Sequence, residues 1–166
     1  MTIAYSSDSW VGFGTAAATA AAALAGLLFI AVSINLRQIL AVKSLPSRAA
    51  QTLITFGTAL VTGLLVVVPD QARNALAAEL IATGVVIGGW QLHLDLSTDN
   101  GGEYTARRRL LGAIFPALTT CGCLVVAGAT LVAQAGGGLY WVVPGVISAF
   151  GFGLINVWVL LVEILR

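Results

Sequence analysis

The chain has 166 residues, of which 58% are hydrophobic and only 9% charged, with a net charge of +1. An ordinary soluble domain carries about 25% charged residues, so this composition excludes a water-soluble globule, and so much apolar surface excludes intrinsic disorder. The near-neutral balance also excludes a basic nucleic-acid surface, which leaves a polytopic, all-α integral membrane protein.

The predicted elements are five transmembrane helices in one domain spanning 1–166, at about 10–40, 48–68, 71–93, 107–134 and 139–165. The first contains 26 residues without a charge, from Val11 to Leu36. As a helix that run is about 39 Å long, more than the roughly 30 Å of a hydrocarbon core, so it spans with a tilt. Trp10 marks its interface. A break at Leu45-Pro46-Ser47 follows, with Ser47 as the expected N-cap of the second helix. That helix stops at Pro69-Asp70, and Asp70 is the expected cap of the third. Residues 94–105 form the one polar loop. Gly136-Gly137-Gly138 makes a tight reversal between helices four and five.

Basic residues set the expected orientation. Arg37, Lys43, Arg48, Arg107, Arg108, Arg109 and Arg166 all fall on one side of a five-helix topology, and only Arg73 falls on the other. Positive charge concentrates on the cytoplasmic side, so the N-terminus is expected outside and the C-terminus in the cytoplasm. The composition suggests a high-GC bacterial genome, hence a multi-pass protein of the bacterial plasma (inner) membrane.

The polar residues within the spans are the candidate functional groups. Arg48, Gln51, Thr55, Thr58 and Thr62 follow one another at steps of three and four, so they share one face of helix two. This stripe either lines a watered path or hydrogen-bonds within the bundle and back to its own helix. Thr15, Thr19, Ala22, Gly26, Ser33 and Arg37 lie near one face of helix one, and Gly84-x-x-x-Gly88 gives helix three a small-residue contact. Glu79 lies about 12 Å into helix three. A carboxylate there is costly unless paired or wet, so it is either held within the bundle or handles cations or protons. Glu163 and Asn156 share a face of helix five, and Glu163 is expected to form a structural ion pair with Arg37. Arg107, Arg108 and Arg109 are topology determinants and a candidate lipid-headgroup site.

No catalytic constellation is present, and no metal or cofactor is expected. Cys121 and Cys123, one residue apart in an apolar run, read as packing residues. His93 stands at an interface, and one histidine does not make a bis-histidine haem site within a subunit.

Three blocks carry a resemblance to a known family. They are residues 26–40 (Gly-Leu-Leu-Phe-Ile-Ala-Val-Ser-Ile-Asn-Leu-Arg-Gln-Ile-Leu), 45–50 (Leu-Pro-Ser-Arg-Ala-Ala), and a C-terminal block made of 138–145 and 156–166. The chain resembles a family of small actinobacterial integral membrane proteins, some labelled modulator of the FtsH protease. The resemblance implies an integral membrane protein and carries no site residue with it.

Two functions follow as expectations. The first is a homo-oligomeric ion or small-solute channel, its pore at a symmetry axis lined by Gln51, Thr55, Thr58, Thr62 and Glu79. The second is a non-catalytic accessory or regulatory membrane protein, for example of a membrane protease or transporter. In both, the partners are the lipid bilayer and either further copies of the chain or another membrane protein.

Overall fold

The computed structural model describes residues 3–42, 45–97 and 115–164, with the side chains of 95–97 and 163–164 outside the description. Two 3-10 turns, Ile3–Tyr5 and Ser7–Trp10, lead into helix α1 (Val11–Ile34). There follow α2 (Leu36–Ala41), α3 (Leu45–Val67), α4 (Arg73–Ser97), α5 (Phe115–Ala133), a third 3-10 turn (Gly138–Trp141) and α6 (Val142–Ile164). Among the described residues five helices, α1 and α3 to α6, are long and apolar enough to cross a membrane.

Helix α4 runs on through Ser97, so residues 94–97 of the expected loop are helical, and the rest of that loop lies outside the described residues. Three other boundaries differ from the sequence expectation, each for a local reason. The first helix is divided at Asn35, whose backbone leaves the helical region (φ −103°, ψ 18°). Its side-chain Nδ2 donates to the Ala31 carbonyl at 2.9 Å, so side chain and backbone compete for one acceptor. The second helix begins at Leu45, which puts Pro46 and Ser47 inside its first turn rather than ahead of it. A proline is tolerated there because the N–H it lacks would have had no helical partner. Asp70 does not cap α4. It sits in the left-handed region (φ 52°) within the preceding turn, and the carbonyl of Ala72 accepts the first N–H groups, those of Ala75 and Leu76.

Helices α3, α4, α5 and α6 form an up-down-up-down ring in which each contacts the next and α6 closes back on α3. Helix α1 stands outside this ring, paired along α3 and touching α6 lightly. Small residues set the two closest pairings. At the α1–α3 crossing, a Cβ on Gly63 would lie 2.6 Å from the Gly14 carbonyl oxygen and 2.8 Å from the Ala18 nitrogen. At the α4–α5 crossing, one on Gly84 would lie 2.7 Å from the Cys121 carbonyl oxygen. Backbones this near are the usual product of small residues at apolar helix contacts. Cys121 is buried in this contact, with Gly88 on the same side of it.

Large apolar side chains point outward: Ile34 is 77% exposed and Trp158 68%. The interior instead holds Ala, Gly and Thr around Phe56, Leu80, Leu124 and Leu131. That is the reverse of a soluble bundle, in which the apolar stripe faces inward.

The N-terminal turns, the α3–α4 connection and the α5–α6 reversal meet at one end, called here the amino end. Gly136, Gly137 and Gly138 all have positive φ (85°, 111° and 54°). A side chain at Gly138 would also strike the Ala4 carbonyl and the Tyr5 ring, so only glycine lets the N-terminal segment seat there. The seat is completed by the Gly137 N–H, which donates to the Tyr5 hydroxyl at 3.4 Å. Trp10 donates through Nε1 to the Ile3 carbonyl at 2.9 Å and meets Tyr140 edge-on at 4.9 Å.

Candidate functional site

Two polar regions emerge, one along α3 and one at the amino end. The α3 stripe is turned into the helix contacts of a single chain. Thr58 and Thr62 are each 1% exposed, and Thr52 beside them is fully buried. The helical 3.6-residue period puts these positions on the side of α3 that meets its neighbours. Thr52, Thr55 and Thr58 each donate at 2.8 Å to the carbonyl four residues back, those of Arg48, Gln51 and Ile54. Thr62 differs: its buried hydroxyl has no protein partner. Gln51 and Thr55 are half-buried. The Thr55 hydroxyl also accepts from Gln91 Nε2 on α4 at 3.3 Å, so it serves as donor and acceptor at once.

Glu79 does not join this stripe. It is half-buried on α4 near the amino end, where its carboxylate accepts from Gln71 Nε2 at 2.5 Å. Gln71 lies in the connection just ahead of α4, and the helix brings residue 79 back within reach of it.

Around Gln71 the amino end opens into a cleft of about 580 Å³. Arg73, the first residue of α4, and Gln134, just past α5, face each other across it. A guanidinium only donates, which orients the Gln134 amide oxygen toward it. That oxygen accepts from Arg73 Nη1 at 2.8 Å and from Nη2 as well. The remaining guanidinium nitrogen, Arg73 Nε, is buried without a protein partner, as is Gln71 Oε1. Asp8 and Asp70 are exposed and line the same opening, whose base is formed by the buried Leu76, Leu131 and Leu139.

Arg37 is exposed on α2, Asn156 is half-buried on α6, and the side chain of Glu163 falls outside the described residues, so the Arg37–Glu163 pair does too. Arg107, Arg108 and Arg109 also fall outside them. Among the described residues no three His, Cys, Asp or Glu side chains are grouped to hold a metal ion.

Sequence reasoning singled out neither Gln71, Gln91 nor the Arg73–Gln134 contact as a site. The available signal was that Arg73 is the lone basic residue on its side of the topology. Nothing in spacing links Arg73 with Gln134, two residues so far apart in the chain. Compared with protein-family models, curated proteins and solved structures, the chain matches none.

Proposed function

We propose that the chain is an integral membrane protein of the bacterial plasma membrane, with its amino end outside, that serves as a non-catalytic accessory subunit. It docks on a transmembrane helix of another membrane protein through the outward face of α1. The observation that carries this reading is the exposure of that face: Thr15, Thr19, Ala22, Gly26 and Ser33 are all exposed, and a Cβ added to Gly26 meets nothing within 4 Å. The Thr15 and Ser33 hydroxyls are returned to the Val11 and Phe29 carbonyls at 2.8 Å. The face therefore offers small side chains, with the Thr15 and Ser33 hydroxyls already bonded, the kind of surface against which a second apolar helix approaches closely.

The burial of the α3 stripe supports this reading over the channel. A residue lining a pore between subunits must be exposed in one subunit, and Thr58 and Thr62 are not. The resemblance to proteins labelled modulators of a membrane protease makes a membrane protease one class of partner, and a transporter is another.

A photo-activatable cross-linker at Ala22 in native membranes tests the proposal. It should give one discrete adduct to a different membrane protein, while the same probe at the exposed Leu118 of α5 gives none. An adduct of twice the chain mass would make α1 a self-association face instead, and lipid adducts only would contradict docking there.

A further inference from the structure

The cleft at the amino end is lined by two residues that each carry an unused hydrogen-bonding atom, and the two atoms are of opposite kind. Arg73 Nε–H is a donor and Gln71 Oε1 an acceptor, and both are buried without a protein partner. Both side chains are also held by protein partners. Gln134 takes the Nη groups of Arg73, and the Glu79 carboxylate takes the amide N–H of Gln71. A carboxylate only accepts, so the amide oxygen of Gln71 is left as the free end. Leaving buried polar atoms unpaired is costly, and both of these belong to residues that line one opening, where a ligand could complete them.

The charges around the opening narrow the ligand. A simple anion would meet Arg73 favourably but face the carboxylates of Asp8 and Asp70. A simple cation would be drawn by those carboxylates but face the guanidinium. A molecule with both charges satisfies all three. Gln71 Oε1 needs an N–H donor, which a primary ammonium has and a quaternary ammonium lacks.

We propose that this cleft binds a compact zwitterion of the phosphoethanolamine type, with its oxyanion on Arg73 and its primary ammonium on Gln71 Oε1 within the field of Asp8 and Asp70. The buried Leu76, Leu131 and Leu139 at the base suit its methylene and glycerol carbons. The same chemistry is available as a phosphatidylethanolamine headgroup, at the bilayer boundary where the ends of spanning helices lie, or as a free amino-phosphate or amino acid.

Native mass spectrometry of the full chain in detergent tests this, using phosphatidylethanolamine, phosphatidylcholine and phosphatidylglycerol of identical acyl chains. Phosphatidylethanolamine should bind on the order of tenfold more tightly than the other two. Arg73→Gln should remove most of that preference, about the effect of losing one charge-assisted hydrogen bond. Gln38→Leu, at the opposite end, should leave it unchanged. If Arg73→Gln does not fold, Asp8→Asn with Asp70→Asn carries the test at two exposed positions, and should erase the preference for phosphatidylethanolamine over phosphatidylglycerol. Competition by glycerophosphoethanolamine would support the lipid headgroup as the source, and binding of that molecule or of glycine with no lipid preference would support a free zwitterion. Equal binding of all three lipids with no binding of either soluble probe would overturn the proposal, as would a preference that survives both sets of substitutions.

Discussion

The same chemical change at two glycines should move stability in opposite directions. Gly63 lies at the α1–α3 crossing, where an added Cβ would be 2.6 Å from the Gly14 carbonyl oxygen, 2.8 Å from the Ala18 nitrogen and 3.0 Å from the Ala18 Cβ. Two of these three neighbours are backbone atoms, which cannot rotate away. Reaching the 3.4 Å at which ordinary contact begins needs a separation of 0.8 Å between the helices at that point. A gap of that order forfeits roughly a quarter to a half of the dispersion attraction across the contact. Overpacking a tight interior costs about 1–3 kcal/mol. Gly26, by contrast, faces outward with nothing within 4 Å of its added Cβ. Alanine is favoured over glycine in a helix interior by about 1 kcal/mol at both sites, so this term cancels between the two variants. Gly63→Ala should therefore be less stable than Gly26→Ala by about 1–3 kcal/mol. Unfolding of the purified chain in detergent, followed by circular dichroism, measures the difference. Equal stability of the two variants, or a more stable Gly63→Ala, would refute the packing argument.

Other outcomes follow from particular contacts. A cysteine at Ser9, exposed beside the amino end, should react with an impermeant thiol reagent added to intact cells and one at Asn100 should not, because basic residues concentrate on the Asn100 side; the opposite pattern reverses the orientation. Thr58→Val removes a hydroxyl bonded only to its own helix at the Ile54 carbonyl and should change unfolding stability by less than about 0.5 kcal/mol, whereas Thr58→Leu adds volume to a buried site and should cost about 1–3 kcal/mol. In a double-mutant cycle, Gln91→Leu and Thr55→Val should show a coupling of about 0.6 kcal/mol, the average for hydrogen bonds between membrane helices. Strictly additive losses would show that the 3.3 Å contact contributes nothing.

The existence of five long helices is legible in the sequence because a charge-free run longer than a bilayer is thick has few alternatives. Their ends are less so. Asn35 interrupts α1 without a proline or glycine, through a side-chain bond that composition does not announce. Leu45-Pro46 looks like a break and is instead a helix start. Helical periodicity groups residues of α1 and of α3 into sets, although Arg37, grouped with the first, lies on α2 beyond the break at Asn35. It does not say which set points inward, because in an apolar environment the inside and the outside of a bundle are almost equally hydrophobic. Thr58 and Thr15 carry the same side chain at similar spacing, and one is buried while the other is exposed. The cleft is the least legible feature. Its members come from the N-terminal turns, the α3–α4 connection and the end of α5, and chain reversals bring them together. Glu79 is visible as an isolated carboxylate, but Gln71 is its partner only because α4 starts at Arg73.

In the proposed reading the α3 hydroxyls are packed rather than wetted, and the outward face of α1 is where the chain meets its partner. Solute flux across vesicles holding folded, purified protein tests the first half most directly. No flux of small cations, anions or neutral solutes above empty vesicles is expected, with Thr58→Leu altering only stability. Flux that is carried by the wild-type protein and abolished by Thr58→Leu in a still-folded chain would contradict it.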